Sequence, residues 1–128
     1  MSTDNGGFTL IELILVTVII GILAGMVVLS FSGRAEEARR RAARGDITSY
    51  MSAIELYALD HNGKYPGSLD DLIGGERNYV RELNNDPWGN PYVYECPGSV
   101  HKDSFDIYSA GPDGIKGNAD DVTESSSE

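Results

Sequence analysis

Two sets of carboxylates stand out by type and position. Glu12 sits at the head of an apolar run, since the nineteen residues from Leu13 to Phe31 carry no charge. A carboxylate at the centre of a bilayer costs about 2.5–3.5 kcal/mol, so Glu12 needs either a place near the interface or a charged partner. The second set is Asp113, Asp120 and Asp121, on a stretch with glycines at 111, 114 and 117. From Asp103 onward there are seven acidic residues against a single Lys. Hard oxygen donors on a turning backbone suit Ca²⁺, which takes about six to eight oxygens at about 2.3–2.6 Å. The spacing is not that of an EF-hand, and no Glu stands at the twelfth position. On composition alone the favoured reading is a solvated acidic loop. His101 has no second His or Cys at ligand spacing and reads as an exposed loop residue. Cys96 is the only Cys, so no intrachain disulfide forms, and it reads as a small buried apolar residue. No nucleophile with a base and no acid–base pair is evident, so an enzyme is not expected.

The elements that position these groups follow from periodicity and punctuation. The nineteen uncharged residues would make roughly 28 Å of helix, the thickness of a bilayer core. A cleaved secretory signal fits poorly. The seven residues before Phe8 hold no Lys or Arg, and the small pair Gly6-Gly7 precedes the apolar run. The bland alternative is an uncleaved anchor with Glu12 near the bilayer surface. Gly21-x-x-x-Gly25 permits close helix packing but is a short signal. From Ala35 to about Asp60 there is no Pro, and Gly45 is the one interruption. Ile47, Met51, Ile54 and Ala58, flanked by Tyr50 and Tyr57, form one apolar face, so the helix is expected to continue as an amphipathic spine. His61-Asn62-Gly63 supplies a glycine stop. Ser68 followed by Asp71 predicts a short capped helix through about Ile73. The segment Asp86-Pro87-Trp88-Gly89-Asn90-Pro91-Tyr92 is dense in turn residues, with Trp88 expected to plug the turn against the core. Tyr92–Glu95 and Phe105–Tyr108 alternate and are rich in aromatic and β-branched residues, which predicts an antiparallel pair packed on the helix.

GFTLIE followed by an apolar helix resembles the N-terminus of type IV pilins and type II secretion pseudopilins. The resemblance implies that a prepilin peptidase cuts after Gly7 and N-methylates Phe8. Glu12 would then lie one helical turn from the new amine. It would assemble the subunit by meeting the Phe8 ammonium of a neighbour, so that each buried charge has a partner. KYPGSLDDL resembles the segment that follows the spine in major pseudopilins. DPWGNPY resembles their DPWGN-Y turn, and SAGPDG…NADD their SLGPDG…DD calcium loop. Residue by residue, that implies Ca²⁺ held by the side chains of Asp113, Asp120 and Asp121 and the carbonyls of Ala110 and Asn118. The ion would fold a loop that otherwise repels itself, a staple that cysteine does not supply. Three features depart from the family pattern. The leader lacks Lys and Arg, Leu29 stands where many members carry a late helix proline, and no aromatic extension follows the loop.

The resemblance implies an α+β, type IV pilin-like fold, with a long N-terminal helix on a small antiparallel sheet with a calcium loop. The expected organisation is a leader over 1–7, a membrane helix over 8–33, a periplasmic domain over 34–122 and a disordered tail over 123–128. All ten Lys and Arg and eighteen of the twenty Asp and Glu lie at or beyond Arg34, which gives that domain a net charge of −8. Nucleic acid is not expected as a partner of such a surface, since phosphates need a basic footprint. The positive-inside rule alone, applied to Arg34, Arg39, Arg40, Arg41 and Arg44, would put the domain in the cytoplasm. The family topology is the reverse, and we follow it, because the leader must face a cytoplasmic-side peptidase. The expected role is a structural subunit of a periplasmic pseudopilus, a homopolymer driving protein secretion from the bacterial inner membrane. Its expected partners are the peptidase, minor pseudopilins and inner-membrane secretion components. The alternative is a surface type IV pilin for adhesion or motility.

Overall fold

The computed structural model describes residues 6–125, the side chains of Leu29 and Ser30 apart. Most of the expected leader, residues 1–5, and the tail end, residues 126–128, lie outside the described residues. The chain divides into two compact units, Met1–Glu37 and Ala38–Glu128. One helix, α1 (Leu10–Asp60), contributes to both. It runs through Gly21, Gly25, Gly33 and Gly45, each tolerated because a single glycine costs only about 1 kcal/mol against many favourable neighbours.

From Leu13 to Phe31 α1 carries no charge, and every described side chain there is exposed. Leu10 and Ile11 are each 75% exposed, and Leu13, Ile14, Val18, Ile22 and Phe31 are exposed as well. By length and composition this is the one helix among the described residues able to cross a membrane. Apolar side chains on every face suit a surrounding of lipid or neighbouring helices.

The second unit has a core built on one stripe of α1. Ala43, Ile47, Tyr50, Ala53 and Ile54 are buried with Leu72, Tyr92, Phe105, Ile107 and Val122. The expected face is therefore present, widened by alanines 43 and 53. Asn62 ends the helix at φ +57°, with Gly63 following at φ +81°. The Gly63 N–H reaches the Ala58 carbonyl at 2.7 Å, closing the last turn. The left-handed cap position thus falls to Asn62, one residue before the glycine expected to fill it. The short helix is a 3₁₀ turn, Leu69–Leu72. Asp71 reaches back to the N–H groups of Gly67 (2.9 Å) and Ser68 (3.2 Å), as the capping spacing predicts.

Strands β1 (Val93–Glu95) and β2 (Asp106–Tyr108) pair antiparallel, with Val93 opposite Tyr108 and Glu95 opposite Asp106. Both are shorter than the alternation predicts, because Tyr92 and Phe105 leave the ladder to enter the core. Tyr92 packs edge-on to Tyr50 at 5.4 Å and donates to Asp46 at 2.6 Å. Burial pushes its phenol pKa far above the ordinary value, and the Asp46 carboxylate adds to the shift. Trp88 packs against the core as expected. Cys96 does not: it is exposed, because the chain leaves β1 into a loop at Pro97 instead of continuing along the buried face.

Candidate functional site

Thr9 and Glu12 sit at the start of α1. The Thr9 N–H donates to Glu12 Oε2 at 3.2 Å, and the Glu12 N–H donates to Thr9 Oγ1 at 3.3 Å. This is a reciprocal capping box, in which each side chain satisfies an orphan backbone donor of the first turn. The carboxylate also lies where the helix dipole favours negative charge. Glu12 is therefore satisfied within its own chain, an arrangement not anticipated from the apolar run. The signal was in the sequence, as Thr followed by Glu three residues on. Phe8, next to the box, is 90% exposed. Gly7 precedes it outside the helix.

The acidic loop hangs from a two-way bridge. Ser109 and Val122 exchange backbone hydrogen bonds at 2.9 Å each, so residues 109–122 leave and return at one point. Val122 is 1% exposed and anchors the neck in the core. Gly111, at φ +72°, lies so close to the Asp120 carbonyl that a Cβ there would overlap the oxygen. The backbone crossing at the neck therefore requires glycine.

The neck is buttressed by the Asp86–Tyr92 turn. Asp86 is 4% exposed. Its Oδ1 accepts from the Trp88 N–H at 3.1 Å and the Asn90 N–H at 2.8 Å. Its Oδ2 accepts from Ser109 Oγ at 2.6 Å, and Ser109 Oγ in turn accepts from the Gly111 N–H at 3.1 Å. One carboxylate thus shapes the turn and fixes the loop's entry. The sequence marked Asp86 as a turn opener, but its link to Ser109, 23 residues on, was not visible there.

Within the loop the three aspartates face different partners. Asp113 accepts from the Ile115 N–H at 3.0 Å and from Asn118 Nδ2 at 2.6 Å. Asp121 Oδ2 accepts from the Gly117 N–H at 2.8 Å. Asp120 Oδ1 meets a guanidinium nitrogen of Arg40 at 3.4 Å. Ala110 is buried, and the Asn118 carbonyl accepts from the Asp121 N–H at 3.3 Å. No group of three His, Cys, Asp or Glu side chains spaced to hold a metal occurs among the described residues. The donor set nonetheless fits a hard cation in one respect. Asp121 Oδ1 is buried without a hydrogen-bond partner, a position that costs free energy and that a cation would satisfy. Burial raises the pKa of the adjoining Tyr108, and the carboxylates of Glu95 and Asp121 raise it further.

His101 is exposed, as expected, and its ring lies 2.7 Å from Asp106. Asp106 also accepts from the N–H groups of Val100 (2.6 Å) and His101 (3.2 Å). Burial raises its carboxyl pKa, but these bonds outweigh burial and hold it below the ordinary value. The pair closes the β1–β2 loop.

Comparison with known proteins agrees with this geometry. Residues 30–126 match the family model for type II secretion system (T2SS) protein G, and residues 3–28 match the prokaryotic N-terminal methylation motif. The chain is 40% identical to the type II secretion system core protein G of Pseudomonas aeruginosa, over 91% of this chain and 90% of that one. It is 38% identical to the core protein G of Vibrio cholerae, over 87% of this chain and 83% of that one. Among solved structures it resembles the major pseudopilin of the type 2 secretion system of enterohaemorrhagic Escherichia coli. The TM-score is 0.59 and the identity 34%, over 70% of this chain and 85% of that one. The capped apolar helix, the buttressed turn and the family match over 97 residues agree: the chain belongs to the type II secretion system protein G family, that of the major pseudopilins.

Proposed function

We propose that this chain is a structural subunit of a pseudopilus, held in the inner membrane by the apolar part of α1 and drawn from there into a periplasmic homopolymer that drives secretion. The observation that carries this reading is a helix uncovered on every face, headed by a carboxylate that is satisfied locally. Cleavage between Gly7 and Phe8 by a prepilin peptidase, followed by methylation, leaves an ammonium one turn from Glu12. In the membrane the Thr9–Glu12 box keeps the carboxylate hydrogen-bonded. In the fibre the carboxylate turns to the Phe8 ammonium of a neighbour, and the opposite charges neutralise each other in a medium that strengthens their attraction. Minor pseudopilins and inner-membrane secretion components are the other partners of such a subunit.

The acidic loop is a calcium site in this proposal. Asp113, Asp120 and Asp121, with the carbonyls of Ala110 and Asn118, would hold the ion. Its chemistry there is structural: it would bind hard oxygens and offset the mutual repulsion of the loop's carboxylates. The buried, unpartnered Asp121 Oδ1 supports this, as does the neck that brings 110 and 120–121 together.

The processing step is tested by mass spectrometry of the protein from its native membrane. The expected mass lacks residues 1–7 and carries one added methyl group; a chain retaining its leader would overturn the reading. Glu12→Ala should insert in the membrane at wild-type level yet yield few fibres when envelopes of lysed cells are examined by electron microscopy. Normal fibre yield would sink the charge-pair mechanism.

A further inference from the structure

We infer that Arg40 is an internal stand-in for the cation at Asp120, competing with Ca²⁺ for that carboxylate. The inference rests on reading the acidic loop as a calcium site. Arg40 lies on α1 in the second unit, eighty residues from Asp120, and its guanidinium meets Asp120 Oδ1 at 3.4 Å. Both side chains are part-exposed, at 32% and 41%. Asp113 and Asp121 are each engaged by loop donors, whereas Asp120 is the proposed ligand turned to a cation outside the loop. A guanidinium and a divalent ion cannot both take the same oxygen at full strength. Arg40 therefore steadies the ion-free loop and opposes loading. When Ca²⁺ takes Asp120, the guanidinium leaves that carboxylate. The loop's metal state is in this way coupled to the position of the Arg40 side chain on α1.

The test uses the full chain in detergent micelles, titrated calorimetrically with CaCl₂. Arg40→Gln should bind Ca²⁺ about two- to fivefold more tightly than wild type, the range that loss of one part-exposed ion pair supports. Arg39→Gln removes the same charge without that contact and controls for long-range attraction. An Arg40→Gln affinity equal to or weaker than that of Arg39→Gln overturns the inference. In chelator, Arg40→Gln should unfold at lower urea than wild type, and saturating Ca²⁺ should close the gap; an equal gap in both conditions overturns it as well. In wild type, the Arg40 Nε–Hε resonance should shift on saturation with Ca²⁺, and an unmoved resonance counts against the inference without any mutation. If wild type itself takes up no Ca²⁺, the calcium reading of the loop falls first, and this inference falls with it.

Discussion

At the scale of single residues, buried carboxylates do most of the organising. Asp86 is the clearest case, since three bonds converge on it and one of them secures the loop neck. Asparagine keeps its size but offers one acceptor oxygen where Asp86 uses two. Asp86→Asn should therefore lower stability by about 1.5–3 kcal/mol, the worth of a hydrogen bond to a charged group, measured by urea unfolding. A loss below about 0.5 kcal/mol would mean that Ser109 holds the neck without it. Glu12 follows the same rule in a different solvent. Its carboxylate is not bare in the apolar run, because the Thr9 backbone N–H reaches it.

Among elements, α1 carries two periodicities in one helix. Its first half is apolar on every face, and its second half buries one stripe under two short strands. The β1–β2 connection is held by Asp106, whose folded pKa lies below its ordinary value of 3.8. A depressed carboxylate contributes stability that is present above its unfolded pKa and lost as pH falls through the folded one. Asp106→Asn should accordingly be less stable than wild type at about pH 7, and the difference should shrink as pH falls below about 4. Urea midpoints at a series of pH values measure this. A difference that is constant with pH would assign the role of Asp106 to packing alone.

For the whole molecule, the second unit is small and holds no disulfide among the described residues, its one Cys being free and exposed. A thin core of this size gains most from an added cross-link. Calcium is the proposed one. At a free concentration about 100 times Kd it should stabilise the folded chain by about 2.7 kcal/mol, seen as a rise in Tm that chelator reverses and Asp121→Asn abolishes. A Tm indifferent to Ca²⁺ would leave the loop as a solvated acidic turn.

The long helix, its apolar and amphipathic halves, the dense turn at 86–92 and the two strands are all legible in the chain's residues. These are local properties, written in residue type and spacing over a few turns of chain. The Thr9–Glu12 box is equally local, a Thr followed by Glu three residues on at the head of the apolar run. Long-range pairing came with the folded core instead: Asp86 to Ser109, Tyr92 to Asp46 and Arg40 to Asp120. It also decided the exposure of Cys96, which lies just past the end of β1. No periodicity encodes such contacts, since each depends on where the folded core brings distant segments to rest.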